Sequence, residues 1–453
     1  MVNINSKIIN WLAIAGGVIL ADFFYFPVGL KYFPAAANSK MIMAVVAIIL
    51  LLITRASKQE PIINKKFILL CLLALGVSLT TYVTTVINGT HDNTYVTYIV
   101  SMLVWLGGAY TFVSYVKWIH GEVSVFNVTL YLIAACTVQC ILAILFDRYP
   151  LIDHWACQIF PGQNEVATYA KDAERLYGIA CAYDVAGMRF AAVLFAMSCI
   201  SIQFLGDLQK PICNKILFLM SFLCISVIGN MISRTASIGV IFGLMYICYA
   251  LSPFSKLSKE KKFMVRNWFL GIFLLGVPTI FVLYGHDAAF QKQFRFGFEG
   301  FFSFAESGEW NVRSNKQLEG MMILPDNLKT WLIGDGLFVD TTQEPYYVGK
   351  HYKGYYMDTD VGYSRFLFYS GIMGLGSFII FMCYSCVLCC QEFPHYRQLF
   401  IGLLLIQFLI WIKVSSDIFV IFAAYITCGF IRDSDERDLK EIDKKENELL
   451  SLN

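Results

Sequence analysis

The sequence predicts an all-α polytopic membrane protein of about twelve transmembrane helices, with one large extracytoplasmic loop ahead of the tenth. Three observations carry that prediction. Of the 453 residues, 57% are hydrophobic and only 15% charged, where a soluble domain carries about 25% charged residues. Mean hydropathy is +0.60, and the apolar residues fall in runs of roughly 20, the length an α-helix needs to cross a bilayer. The polar residues are concentrated in one block at 285–362. A net charge of +2, with no basic helix and no Gly-rich phosphate loop, points to no nucleic-acid partner.

The first run, 8–30, is longer than a signal-peptide core and has no clean small-residue cleavage site after it, so it reads as a retained span. Runs at 37–54, 67–87, 94–115 and 123–146 follow, then an outer loop at 147–183. Four more runs at 186–205, 216–232, 237–251 and 268–284 complete the first nine helices, in the region 1–284. The large loop 285–362 precedes a second membrane region, 363–431, with runs at 363–388, 399–412 and 418–431. The last two share one apolar block and also suit a re-entrant pair. The tail 432–453 carries charges of both signs and reads as a cytoplasmic helix or a disordered end.

Orientation follows from Lys and Arg in short connections. Arg55, Lys58, Lys65 and Lys66, then Lys210 and Lys215, then Lys256, Lys259, Lys261, Lys262 and Arg266 all fall on one side if both termini share it. That side is the cytoplasm, with the N- and C-termini cytoplasmic. The loop 285–362 then lies outside, rich in aromatics (Phe294, Phe296, Phe298, Phe301, Phe302, Phe304, Trp310, Trp331, Tyr346, Tyr347, Tyr352, Tyr355, Tyr356) that suit either a lipid interface or sugar stacking. Most of the fourteen cysteines lie in predicted spans and read as small apolar residues. Only Cys157 and Cys181 fall outside, where a disulfide between them is open. The six histidines make no metal set, and no cofactor fingerprint is present.

Charged groups gather at the outer ends of the spans: Asp22, Asp184, Arg189, Arg234, Arg365, Lys413 and Asp417. At the centre of a bilayer such a group costs about 2.5–3.5 kcal/mol on insertion scales, less near the interface or when paired. With no matching set in the inner half, the pattern describes one charged cavity opening outward. Arginine dominates it, and a guanidinium binds phosphate bidentately. Arg148 and Arg295 read as ordinary surface residues, Arg189 as a partner for Asp184, and Arg365 as satisfied by Asp360 or helix carbonyls. Arg234, on a very short connection between two apolar runs, is the hardest to explain structurally. In Asp358-Thr359-Asp360, Asp360 is the candidate base, its pKa raised by partial desolvation, with Asp358 as its partner. The same run also fits a helix N-cap. Gly239-x-x-x-Gly243 and Gly371-x-x-Gly374 read as helix packing.

This arrangement resembles the O-antigen polymerase and O-antigen ligase family of bacterial cell-surface polysaccharide assembly. The resemblance covers roughly residues 170–380. It rests on Glu174-Arg175-Leu176-Tyr177-Gly178 ahead of the sixth span and Ser233-Arg234-Thr235 at an outer helix end. Further along, Arg313 with Gly334-Asp335-Gly336, and Asp360-Val361-Gly362-Tyr363 with Gly371-Ile372-Met373-Gly374, match its order and spacing. It implies a GT-C-like glycosyltransferase bundle in a bacterial cytoplasmic membrane. It also implies metal-independent, inverting use of polyprenyl-pyrophosphate-linked oligosaccharides, without a cofactor. Membrane lipids and a chain-length regulator protein are the further partners. Asp360, Arg234 and Arg313 would be catalytic, with Arg175, Arg189, Arg365, Asp358 and Tyr363 binding substrate. Ligases of the family carry a His where this chain has Asp360, which favours a polymerase. The alternatives are a ligase moving glycan onto a lipid core and, from another class, a flippase of lipid-linked sugars, which should carry polar groups through the full membrane depth.

Overall fold

The computed structural model describes residues 4–31, 33–34, 37–56, 65–339 and 355–432. Arg55 and Lys58, the aromatics Tyr346, Tyr347 and Tyr352, His351 and the tail after Arg432 lie outside the residues whose side chains are described. Helices α1 (Ile4–Tyr25), α2 (Ser39–Ala56), α3 (Lys65–Asn88), α4 (Tyr98–His120) and α5 (Val125–Arg148) are followed by the short α6 (Pro150–Ile159) and α7 (Gln163–Asp172). Then come α8 (Tyr183–Leu205), α9 (Ile212–Ile232), α10 (Ala236–Leu251) and α11 (Lys259–His286). The short α12 (Ala288–Gly297), α13 (Glu299–Ser307), α14 (Arg313–Met321) and α15 (Leu328–Leu332) lead to α16 (Gly362–Glu392), α17 (Arg397–Ile410) and α18 (Phe419–Arg432). Among the described residues the only β pairing is three isolated bridges.

Every predicted apolar run contains a helix. Among the described residues, eight helices are long and apolar enough to cross a membrane: α1, α3, α4, α5, α8, α9, α11 and α16. Helices α2, α10 and α18 are shorter apolar helices, and α17 has 14 residues. At 1.5 Å per residue, the 16 residues of α10 and 14 of α17 reach only about 21–24 Å, against a hydrocarbon core of about 30 Å. The chain is a multi-pass helical membrane protein with several shorter apolar helices.

Helix α8 is the centre of the bundle, 89% of its apolar window being buried, while α11 at 6% stands on the periphery. Small residues let α10 close on α8. A Cβ at Gly239 would sit 2.2 Å from the Ala191 carbonyl, and one at Gly243 2.3 Å from the Ser198 hydroxyl. That is the helix packing the Gly239-x-x-x-Gly243 spacing predicts. Gly371-x-x-Gly374 differs. Gly371 (φ 61°, ψ −167°) interrupts α16. The freed carbonyls of Phe368 and Tyr369 accept the Asp335 and Gly336 N–H groups at 2.6 and 3.0 Å. The Gly334–Gly336 segment is thereby plugged into the break, and Thr84, Asn88 and Thr90 of α3 and its end donate to the carbonyls of Ile333, Gly334 and Gly336.

The expected outer loops are largely helical. Residues 147–183 fold as α6 and α7, joined by Lys171–Asp153 at 2.8 Å. The described part of 285–362 forms α12–α15. Asp287 caps α12 by accepting the Ala289 and Phe290 N–H groups, both at 3.0 Å. These N–H groups, with Arg148, hold its carboxyl below the usual range. Arg148–Asp287, Gln293–Asp147 and Lys292–Glu174 tie the two segments together. Phe294, Phe298, Phe301, Phe302 and Trp310 pack ring against ring, with Phe294–Phe298 at 4.5 Å, and Tyr284 of α11 stacks on Phe302 at 5.8 Å. Cys157 and Cys181 are separate thiols.

Candidate functional site

At the bundle end that carries α12–α15, a cleft of about 250 Å³ opens between α8, α10, α14, α16 and the α17–α18 turn. Its walls bring together Arg175, Arg234, Arg365 and Lys413 with Asp184 and Asp360. All three of α10, α17 and α18 terminate there.

Arg234 sits on the α9–α10 turn because Gly187 of α8 leaves room for it: a Cβ there would lie 2.3 Å from the Ser233 hydroxyl. Its Nε donates to the Phe296 carbonyl at 2.8 Å, and its Nη1 contacts Glu299 at 2.6 Å and Ser314 Oγ at 3.3 Å. The Phe296 ring lies beneath both Arg234 (4.1 Å) and Arg175 (4.9 Å), which fixes two guanidinium groups side by side. Lys413 completes this group. Burial first, then Arg234 and Arg175, pull its ammonium below the usual lysine range. The Glu299 carboxylate on Arg234 and the cleft carboxylates Asp184 and Asp360 offset part of this charge, and an added anion would offset more of it.

On the opposite wall Arg365 is clamped between the rings of Tyr355 (3.4 Å) and Phe338 (3.7 Å). It donates to Ser415 Oγ at 2.6 Å and the Phe338 carbonyl at 3.2 Å, not to Asp360. Asp360 is half-buried. Desolvation pushes its pKa above the ordinary carboxylate value and Asp184 adds to this, while Arg365 and Lys413 pull it back. Thr359 fixes the approach: its hydroxyl donates to the Met321 carbonyl at 2.5 Å and accepts the Val361 N–H at 3.2 Å. The N-cap of α16 is Val361, with no side-chain cap.

Four of the sequence-predicted residues stand elsewhere. Arg313 is exposed at the start of α14, and it is the next residue, Ser314, that enters the cleft. Asp358 is exposed with φ 50°. Tyr363 donates to the Phe408 carbonyl at 2.9 Å and packs on Trp411, joining α16 to α17. Arg189 does not pair with Asp184, which instead accepts the Ser416 hydroxyl at 2.8 Å. Arg189 is buried among the rings of Tyr25, Phe26 and Trp105, within Coulombic range of Asp417. Conversely, Lys413, Asp184 and Phe296 line the cleft although the sequence marks the first two only as charges at helix ends. Their signal was an ionisable residue at the border of an apolar run.

Every described non-glycine residue with positive φ (Glu174, Ala180, Tyr183, Met357 and Asp358) belongs to the two segments that deliver Arg175, Asp184 and Asp360. Backbone held in such regions clusters at functional sites. Among the described residues no group of three or more His, Cys, Asp or Glu is placed to hold a metal ion.

Fold and site together define the class: a multi-pass helical membrane protein with a cationic, carboxylate-bearing cleft at one end. No family model, curated protein or solved structure matches the chain.

Proposed function

We propose that the protein is an integral membrane glycosyltransferase. It would polymerise polyprenyl-pyrophosphate-linked oligosaccharide repeat units at the outer face of a bacterial cytoplasmic membrane, with both termini cytoplasmic. The observation that carries this reading is the convergence of Arg175, Arg234 and Lys413 with Asp360 in one cleft at an end of the membrane bundle. A lipid diphosphate calls for such a cation cluster, since its phosphates carry the charge while its tail stays in hydrocarbon.

In this mechanism the acceptor sugar hydroxyl attacks the anomeric carbon of the donor. Asp360 takes the hydroxyl proton, the new glycosidic bond forms, and the bond to the pyrophosphate breaks with inversion. The electron pair leaves with the pyrophosphate oxygen, whose growing charge Arg175, Arg234 and Lys413 meet. The raised pKa of Asp360 makes it a stronger base than an exposed carboxylate. Arg365, already committed to Ser415 and Phe338, acts as a positioning residue beside Asp360.

A flippase would need polar groups through the whole depth. Here the charges outside ordinary connections gather at the cleft end, and the far end holds the Lys66–Glu392 pair, whose backbone Arg432 also ties. The test is reconstitution in lipid vesicles with a synthetic polyprenyl-pyrophosphate repeat unit and chelator present. Laddered saccharide products are expected. Transfer of intact substrate between leaflets without new glycosidic bonds would support the flippase instead.

A further inference from the structure

A second group of charges, none of which lines the cleft, meets where α2, α4, α8 and the start of α18 come together: Lys40, Arg189 and Asp417. Lys40 opens α2, Arg189 lies in the second turn of α8, and Asp417 stands just ahead of α18. The indole of Trp105 carries both cations, with Lys40 Nζ at 4.2 Å and the Arg189 guanidinium carbon at 5.8 Å from the ring centre. Asp417 is within Coulombic range of both, and of Tyr98.

Among the described residues, no ion pair or hydrogen bond joins these three charges. Arg189 is 6% exposed and its Nε has no acceptor, and the equally buried Tyr98 hydroxyl has no partner either. One Asp417 oxygen accepts the Phe419 N–H at 2.9 Å, and among the described residues nothing donates to the other. The neighbouring carboxylate, Asp22, is already taken up by Gln139 Nε2 at 2.9 and 3.0 Å. An unpaired buried guanidinium costs free energy that an added acceptor recovers. In front of Arg189 and Tyr98, Lys40, Trp105 and Asp417 are part-exposed.

The free groups specify the ligand. Lys40 and Arg189 offer N–H donors to an anionic oxygen, and the guanidinium fork matches a carboxylate. Asp417 offers the reverse, an acceptor for a hydroxyl. With Asp417 and Asp22 already near the two cations, one further negative charge is favoured over the two of a phosphate monoester. A carboxylate beside a hydroxyl is the pattern of a sugar acid. The α17–α18 turn serves both places: Lys413 and Ser415 line the cleft, Ser416 donates to Asp184, and Asp417 faces Lys40 and Arg189.

We propose that Lys40, Arg189 and Asp417 form a subsite for an acidic sugar of the glycan substrate, the two cations taking its carboxylate and Asp417 a neighbouring hydroxyl. The subsite rests on the glycan reading of the cleft for its role, but its binding is measurable without transfer.

Ligand-observed NMR titration of the full chain in nanodiscs with methyl hexuronides, in the gluco and galacto forms, tests this. Wild type should bind at least one of them saturably, and about tenfold more tightly than the matching neutral methyl hexoside, acetate or inorganic phosphate. Lys40→Gln and Asp417→Asn should each weaken that binding about tenfold. Arg175→Gln/Arg234→Gln, in the cleft, and Lys316→Gln, exposed on α14, should keep it. Unchanged binding in Lys40→Gln, loss in the cleft double variant, or acetate or phosphate binding as tightly as the hexuronide (an adventitious ion only) overturns the proposal. If Lys40→Gln does not fold, wild type decides alone: a neutral hexoside bound as well as either hexuronide overturns it. Hexuronide binding without laddered products in vesicles keeps the subsite and removes the polymerase, and laddered products without hexuronide binding do the reverse.

Discussion

Arg234 is the residue whose placement the rest of the cleft depends on. It spans from the α9–α10 turn to Phe296, Glu299 and Ser314, and so joins the membrane bundle to the helices above it. On the proposed function, Arg234→Ala should lower turnover by about 10²–10³-fold, as loss of one preorganised transition-state donor does. Lys413→Met should act in the same direction, because it removes the third cation of the group. Measured rates in vesicles check both, with protein insertion verified separately. Asp360→Asn should cost about 10²–10⁴-fold, the usual worth of a general base.

The pH sign for Asp360 follows from its raised pKa. The active form is the carboxylate, so activity falls as pH drops through the folded-state pKa. Because burial has moved that pKa up, the acid limb of the rate profile should lie above the ordinary value of about 4. An acid limb at the ordinary value would show that another group is the base. Of the site, Arg234 and Arg365 were legible because a charge at the edge of an apolar run is costly unless it is used, Asp360 from the Asp358-Thr359-Asp360 run, and Arg175 through the family resemblance. Arg313 was misplaced because helix α14 turns Ser314, Gln317, Leu318 and Met321 inward, a rotation that no residue in an isolated polar segment announces.

Elements carry the second level of the account. The break in α16 at Gly371 and the Gly334–Gly336 plug are two halves of one device, supplying unpaired carbonyls and the N–H groups that satisfy them. A Cβ at Gly371 would lie 2.3 Å from Leu332 backbone, and one at Gly334 2.6 Å from the Ser370 nitrogen. Gly371→Ala should therefore destabilise the protein by more than the about 1–3 kcal/mol of a strained backbone alone. Thermal unfolding in detergent reads this, and an unchanged midpoint would contradict it. The sequence showed both glycine pairs but not their relation, since helix packing and helix interruption leave the same residues behind. Likewise the apolar runs located the twelve longer helices but not the short α6, α7 and α12–α15, and the true lengths were hidden. Hydrophobicity continues through turns such as Trp411–Val414, which the chain uses to end α17 rather than prolong it.

For the molecule as a whole, eight helices long enough to span and four shorter apolar helices, counted among the described residues, make one bundle with the charged cleft at one end. The class was readable from composition alone, because a chain with so few charges has no other way to bury its surface. On the proposed function, a polar cleft at one end of a membrane bundle meets substrates that arrive on a lipid. The central claim is that this cleft binds a polyprenyl diphosphate through Arg175, Arg234 and Lys413. The most direct measurement is equilibrium binding of a polyprenyl diphosphate and the matching monophosphate to the purified protein in nanodiscs. Wild type should bind the diphosphate more tightly than the monophosphate, and the double variant Arg175→Gln/Arg234→Gln should lose that difference while its helical content stays unchanged. Equal affinity for the two lipids in wild type, or a preference that survives in the double variant, would contradict the account.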